Sequence, residues 1–167
     1  PFGGSAYALS VSGVTLRNGR AALGSFGSGG DGGAIRFLGV DASFTTFSTL
    51  TMSNCSVLNN TSTGLGFIGA GAGAVGAFGN VNFTGVDLSS NTSAFGAAGL
   101  NVAAGSGSSF TSSTFKANVG SDSGGAGALL FQAGPISISR SSITNNQARQ
   151  ASGALFFGVS AAVVNTT

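Results

Sequence analysis

Short segments in which apolar and polar residues alternate recur along the chain: Leu9-Ser10-Val11, Leu50-Thr51-Met52, Val81-Asn82-Phe83, Ser108-Ser109-Phe110 and Ile136-Ser137-Ile138. Alternation of period two marks a strand with one buried face. Five residues beyond the third position of each lies a further apolar residue: Leu16, Val57, Leu88, Phe115 and Ile143. Three residues later come Gly19, Asn60, Asn91, Asn118 and Asn146. A Gly-rich loop of variable length then leads to Ile35, Val75, Leu100, Leu129 and Leu155, with Phe37, Ala77, Val102, Phe131 and Phe157 two residues on. One slot, Ser108, is polar. From Val11 the equivalent residues follow at steps of 41, 31, 27 and 28, and 26 more residues reach Val164.

A repeat of this length whose unit cannot bury its own apolar face predicts a solenoid. The expected fold is all-β: a right-handed parallel β-helix of about five coils, three short strands per coil. In the first coil the strands fall near 9–11, 14–17 and 34–38, separated by Gly, Asn and Ser turns. The whole of 1–167 reads as a single domain, with residues 1–8 finishing a previous turn or packing across an end. Coils start near 9, 50, 81, 108 and 136, and an incomplete sixth starts near 162. Stacked coils place like side chains above like, so Asn60, Asn91, Asn118 and Asn146 are expected to form an internal amide ladder that begins after Gly19. The first coil is the longest, carrying its extra residues in 19–33 and 39–49, where Phe44 and Phe47 are expected to fold back over the core edge. Leu38, Phe78, Leu130 and Phe156 are read as outward-facing.

Composition sharpens this picture. Gly accounts for 30 of 167 residues and charged residues for 6%, far below the ordinary quarter. So much Gly and Ser suggests disorder, but the apolar columns supply the buried area that disordered chains lack. The net charge of +2 comes from six dispersed cations, Arg17, Arg20, Arg36, Lys116, Arg140 and Arg149, assigned to different coil positions. That is no basic stripe for nucleic acid. No apolar run approaches the 18 residues of a membrane helix. Cys55 shares its slot with Val14 and Val86 and is expected to be a buried structural thiol, with no intrachain disulfide available.

Parallel β-helices often process polysaccharides, chemistry that needs paired carboxylates, or acidic ligands for a cation beside a base. The chain has no His, no Glu and four acids, Asp31, Asp41, Asp87 and Asp122. Asp87 is expected to point outward, with Thr15, Ser56, Thr114 and Ser142 as its equivalents, so no acidic cluster forms there. Asp31, in Gly-Gly-Asp-Gly-Gly, is read as a solvated loop residue rather than a calcium ligand. No catalytic residue, metal site or cofactor is assigned, and the polysaccharide-active enzyme is kept only as a remote alternative.

Asn-x-Ser/Thr acceptors occur at Asn54, Asn59, Asn60, Asn82, Asn91 and Asn165, half of the twelve Asn residues. A glycan on Asn60 or Asn91 would destroy the ladder. Asn54 and Asn82, at outward positions, are the best candidates, with Asn59 and Asn165 also open. Exposed Ser and Thr at 45–51, 61–63 and 111–114 are further candidates for O-linked sugars.

Phe115-Lys116-Ala117-Asn118 and Gly32-Gly33-Ala34-Ile35, with shorter versions at Gly127-Ala128-Leu129 and Gly153-Ala154-Leu155, resemble the repeats of polymorphic outer-membrane-protein-type β-helices. Other coils use Leu, Val or Ile for the Phe, and Ala98-Gly99-Leu100 reverses the Gly-Ala order. The resemblance implies a cell-surface or extracellular rod with an adhesive or structural role. The run from Ala161 to Thr167 begins another coil, with Ala162 and Val164 assigned to inward columns. Such an end fits either a chain cut from a longer protein or one whose end stacks on the start of another copy, a heterologous head-to-tail contact that propagates into a fibre. The expected function is a non-catalytic, glycosylated structural subunit of an extracellular or cell-surface fibre, with itself as partner. The alternative is an adhesin segment that binds a surface ligand through its loops.

Overall fold

The computed structural model describes residues 6–22, 32–39, 45–63, 72–121, 126–132, 134–149, 152–153, 155–157 and 160–167. Among them the regular structure is all β, in four parallel sheets whose strands stack rung on rung as a β-solenoid. Sheet A contains Ala8–Ser12, Thr49–Ser53, Asn80–Thr84, Ser108–Thr111, Ile136–Ser139 and Ala161–Val164. Sheet B contains Thr15–Arg17, Ser56–Leu58, Asp87–Ser89, Thr114–Lys116 and Ser142–Thr144. Sheet C contains the two-residue strands Arg20–Ala21, Thr61–Ser62, Thr92–Ser93, Val119–Gly120 and Gln147–Ala148. Sheet D contains Ile35–Leu38, Val75–Phe78, Leu100–Ala104, Leu129–Phe131 and Leu155–Phe157. The three strands expected in each coil are present. Sheet C is an addition that follows the Asn position, and a two-residue strand is too short to show a period.

The columns read from the repeat are the registers of the sheets. Val11 pairs with Met52, Met52 with Phe83, Phe83 with Phe110, and Phe110 with Ile138. Leu16, Val57, Leu88, Phe115 and Ile143 align in sheet B. One continuous core results, in which Leu50, Met52, Val57, Leu88, Phe110, Phe115 and Phe131 are inaccessible to solvent. Phe110 sits at its centre, its ring 5.5 Å from Phe83, 5.4 Å from Phe131 and 6.1 Å from Phe115. Such tilted and edge-on pairs add about 0.5–1.5 kcal/mol each beyond the area they bury. Near the first coil, Tyr7 packs its ring edge-on to Phe37 at 5.9 Å and donates its hydroxyl to the Leu38 carbonyl.

Two corners in each rung use left-handed backbone. The corner after sheet A holds Gly13, Asn54, Gly85, Ser112, Arg140 and Asn165, with φ from 48 to 65°. The corner after sheet B holds Asn18, Asn59, Ser90, Ala117 and Asn145, with φ from 53 to 60°. Asn and Gly tolerate this region, whereas other L-residues meet a steric cost of about 1–2 kcal/mol. The Gly of the Gly-Ala motif answers a different need. A Cβ on Gly33 would stand 2.0 Å from the Gly73 carbonyl oxygen, and one on Gly127 would stand 2.0 Å from that of Gly153. Adjacent rungs approach too closely there for a side chain.

Three sequence expectations are corrected. Sheet A pairs Ile136 with Ala161 and Ile138 with Val163, so Ala162 and Val164 lie opposite Ser137 and Ser139 on the outward register, not in the inward columns. The step from Ile138 is 25 residues rather than 26, and four successive apolar residues carry no phase from which to read it. Phe78, expected outward, is 4% exposed, and Leu38 is half-buried. A register shift between Val102 and Ala104 sets Ala104 against Phe78 at the strand end, where simple alternation fails. Arg17 and Lys116 share a column through Leu58 and Ser89, although the repeat had assigned them different positions. The side chains of Leu130 and Phe156, and Phe44 altogether, lie outside the described residues, while Phe47 is half-buried.

Candidate functional site

The polar feature that the fold assembles most completely is the Asn ladder at the start of sheet C. The Asn60 backbone N–H and Nδ2 both donate to Asn91 Oδ1, at 2.9 and 3.0 Å. Asn91 donates in the same way to Asn118 Oδ1, at 3.0 and 3.0 Å, and Asn118 to Asn146 Oδ1, at 3.0 and 2.9 Å. The second amide proton of each goes to a carbonyl of the preceding rung: Leu16 for Asn60, Val57 for Asn91, Leu88 for Asn118 and Phe115 for Asn146. Asn60, Asn91 and Asn118 are buried with their side-chain groups satisfied, as burial requires. Gly19 begins the ladder by donating its N–H to Asn60 Oδ1 at 2.8 Å. A Cβ there would stand 2.1 Å from the Gly33 carbonyl oxygen, so the first rung has no room for an Asn side chain.

A second internal polar column escaped the sequence reading. Cys55 and Val86 face inward as expected, and Ser113 and Ser141 continue the series, buried. Ser113 Oγ accepts the Val86 N–H at 3.2 Å and Ser141 Oγ accepts the Ser113 N–H at 3.2 Å. Each hydroxyl donates to the carbonyl two residues upstream, Thr111 and Ser139 respectively. The Cys55 thiol makes the equivalent contact with the Ser53 carbonyl at 3.2 Å and is free of any disulfide. The available signal was the recurrence of Ser two residues after an outward Thr or Ser.

The acceptor Asn residues separate by environment. Asn54, Asn59 and Asn165 are exposed, each at a left-handed corner. Asn82 projects from the outer face of sheet A, half-buried, and its Oδ1 accepts the Ser109 hydroxyl at 2.8 Å. Asn60 and Asn91 are locked in the ladder. Of the acids, Asp87 lies outward in sheet B beside Ser56 and Thr114, as the repeat implies, and accepts a hydrogen bond from the Ser89 hydroxyl. Asp31, Asp41 and Asp122 lie outside the described residues. Among the described residues no three His, Cys, Asp or Glu side chains gather into a metal-binding group, and no helix is long and apolar enough to cross a membrane.

The outer face of sheet A is a two-column polar grid. One column is Ser10, Thr51, Asn82, Ser109 and Ser137; the other is Ser12, Ser53, Thr84, Thr111 and Ser139. All ten are exposed or half-buried, none is charged, and nine carry hydroxyls. Ser and Thr together are 40 of the 167 residues, so their concentration here is well above the chain average. Neighbouring rungs hydrogen-bond across the face, Ser53 to Ser12 at 3.0 Å and Thr111 with Ser139 at 3.4 Å. The first and last strands of this sheet carry Leu9 and Val163, 44% and 45% exposed although they continue the buried columns. Comparison with protein-family models, curated protein sequences and solved structures finds no match to this chain.

Proposed function

We propose that the protein is a non-catalytic structural subunit of an extracellular or cell-surface fibre, in which solenoid rungs stack end to end and outward Asn residues carry glycans. The observation that supports it most is the self-complementarity of the rungs. Each offers the next a row of backbone donors and acceptors, an apolar column and, from Gly19 to Asn146, a hydrogen-bonding group in the same place. A further rung, from more of the same polypeptide or from another copy, would cover Leu9 at one edge and Val163 at the other. Exposed parallel edges recruit strands unless they are blocked. The resemblance to polymorphic outer-membrane-protein-type repeats adds the expectation of an extracellular setting, where Asn54, Asn59 and Asn165 are the exposed acceptors and half-buried Asn82 the next.

Self-association measured by sedimentation over a range of concentrations tests this reading. Val163→Asp sets a charge in the apolar column of the last strand, where exposure spares the fold. Native protein is expected to grow into open-ended assemblies, and the variant to stay short with an unchanged circular dichroism spectrum. Equal growth of both would refute stacking through this edge. A native protein that stays monomeric at every concentration would move the function to a ligand bound by the loops.

A further inference from the structure

We propose that the outer face of sheet A is an ice-binding surface. Parallel strands repeat at about 4.8 Å along the stack, and alternate residues on one strand lie about 6.6 Å apart. The Cα positions of the two columns therefore form a near-rectangular net that runs about 19 Å from the first rung to the fifth at that spacing, and on it the side-chain oxygens of adjacent rungs draw together at Ser12 with Ser53, Asn82 with Ser109 and Thr111 with Ser139. Water joined tetrahedrally by hydrogen bonds about 2.75 Å long places its second-neighbour oxygens about 4.5 Å apart. The repeat of such a hexagonal network along its unique axis is eight-thirds of the bond length, about 7.3 Å. The backbone positions that carry the face approach both periods, to within about 0.3 Å along the stack and about 0.7 Å across it. The cross-rung contacts of Ser53 with Ser12 at 3.0 Å and of Ser109 with Asn82 at 2.8 Å supply the first-neighbour distance of the same network.

Electrical character selects this occupant over others. An ice plane is neutral, and each of its oxygens both donates and accepts. A hydroxyl does the same, with one donor and two acceptor sites. The outer register of sheet B carries Arg17, Asp87 and Lys116, and that of sheet D carries Arg36, whereas the two columns of sheet A carry no charge. An ionic partner finds nothing to pair with there. A polysaccharide surface would ordinarily be met by aromatic side chains, and neither column contains one. The backbone behind the grid is held by parallel pairing on both sides of its inner strands, and the buried Phe83 and Phe110 lie beneath it, so the net is presented on a rigid support. A single molecule presents the whole net, and the inference does not depend on end-to-end stacking.

The test is thermal hysteresis, together with partition of the protein into a slowly growing ice front. Native protein is expected to shape ice crystals and to concentrate in the ice fraction. Ser109→Lys, in the middle of the face, is expected to abolish both, and Ser137→Lys, at a more exposed position, serves as a second disruption should the first disturb folding. Thr114→Lys places the same side chain on the outer face of sheet B in the same rung and is expected to leave both activities at the native level, with circular dichroism checking the fold of each variant. Native protein excluded from ice like serum albumin would overturn the proposal, as would hysteresis that survives both sheet A variants or is lost equally in Thr114→Lys. Retention on microcrystalline cellulose without any effect on ice would also overturn it, in favour of a polysaccharide lattice.

Discussion

Removing one rung of the internal ladder should cost more than an ordinary buried hydrogen bond, and Asn91 is the place to measure it. Asn91 is completely buried, and its side chain accepts from Asn60 N and Nδ2 while donating to the Val57 carbonyl and Asn118 Oδ1. Asn91→Ala leaves the two Asn60 donors without an acceptor in a site closed to water. Each stranded donor costs about 1–3 kcal/mol, so the loss is about 4 kcal/mol. For a chain of this size that corresponds to a fall in Tm of about 8–16 °C. Asn146→Ala strands the Asn118 N–H and Nδ2 in the same way, but the deleted side chain is itself half-buried, so its removal admits water to them and should cost about 1–2 kcal/mol. Asn91→Asp adds a pH signature. Its second carboxyl oxygen would take the place of the amide nitrogen and face two acceptors, the Val57 carbonyl and Asn118 Oδ1. Burial and those acceptors raise the pKa of the introduced carboxyl in the folded state above its unfolded value of about 3.9. The folded form then binds the proton more tightly, so this variant is nearest to native stability below that unfolded-state value and loses stability as the pH rises from there through the raised folded-state value. Chemical denaturation followed by circular dichroism reads all three variants. A loss below about 1 kcal/mol for Asn91→Ala, or equal losses at Asn91 and Asn146, would refute the reasoning.

Three further outcomes follow from the same geometry. Phe110→Ala empties the centre of the core, where the ring meets Phe83, Phe115 and Phe131, and should cost about 3–5 kcal/mol in the same denaturation assay. Ala117→Asn relieves a left-handed corner at φ 53° with the residue that Asn18, Asn59 and Asn145 already use there, and should stabilise by about 0.5–1 kcal/mol. Peptide mapping of protein from a secretory eukaryotic host should find glycans at Asn54 or Asn59 and none at the buried Asn60 and Asn91, and occupancy of Asn91 in folded protein would contradict the sorting by burial.

The repeat was legible wherever side-chain chemistry was strict. Only a column closed to water forces Leu50, Val81 and Phe83 to recur in phase, and only a ladder that uses every amide group holds Asn60, Asn91 and Asn118 in register. Elsewhere the physics leaves weaker marks. Sheet C rests on backbone pairing of strands too short to alternate, and its residues range from Arg20–Ala21 to Val119–Gly120. The inward Ser113 and Ser141 broke an apolar column because their hydroxyls bond within it, which hydropathy counts as an outward residue. At Ala161–Val164 both faces are apolar, and the phase had to be set by pairing with Ile136–Ser139. Three of the four acids fall outside the described residues, and the outer grid of sheet A emerged only once successive rungs were aligned.

Electron microscopy of the purified protein tests most directly the claim that these rungs form a fibre. Stacking of five to six rungs per molecule at about 4.8 Å predicts filaments with a subunit repeat of about 24–29 Å along the axis. Filaments with that repeat, lost in Val163→Asp, would establish the account, and discrete short rods at every protein concentration would contradict it.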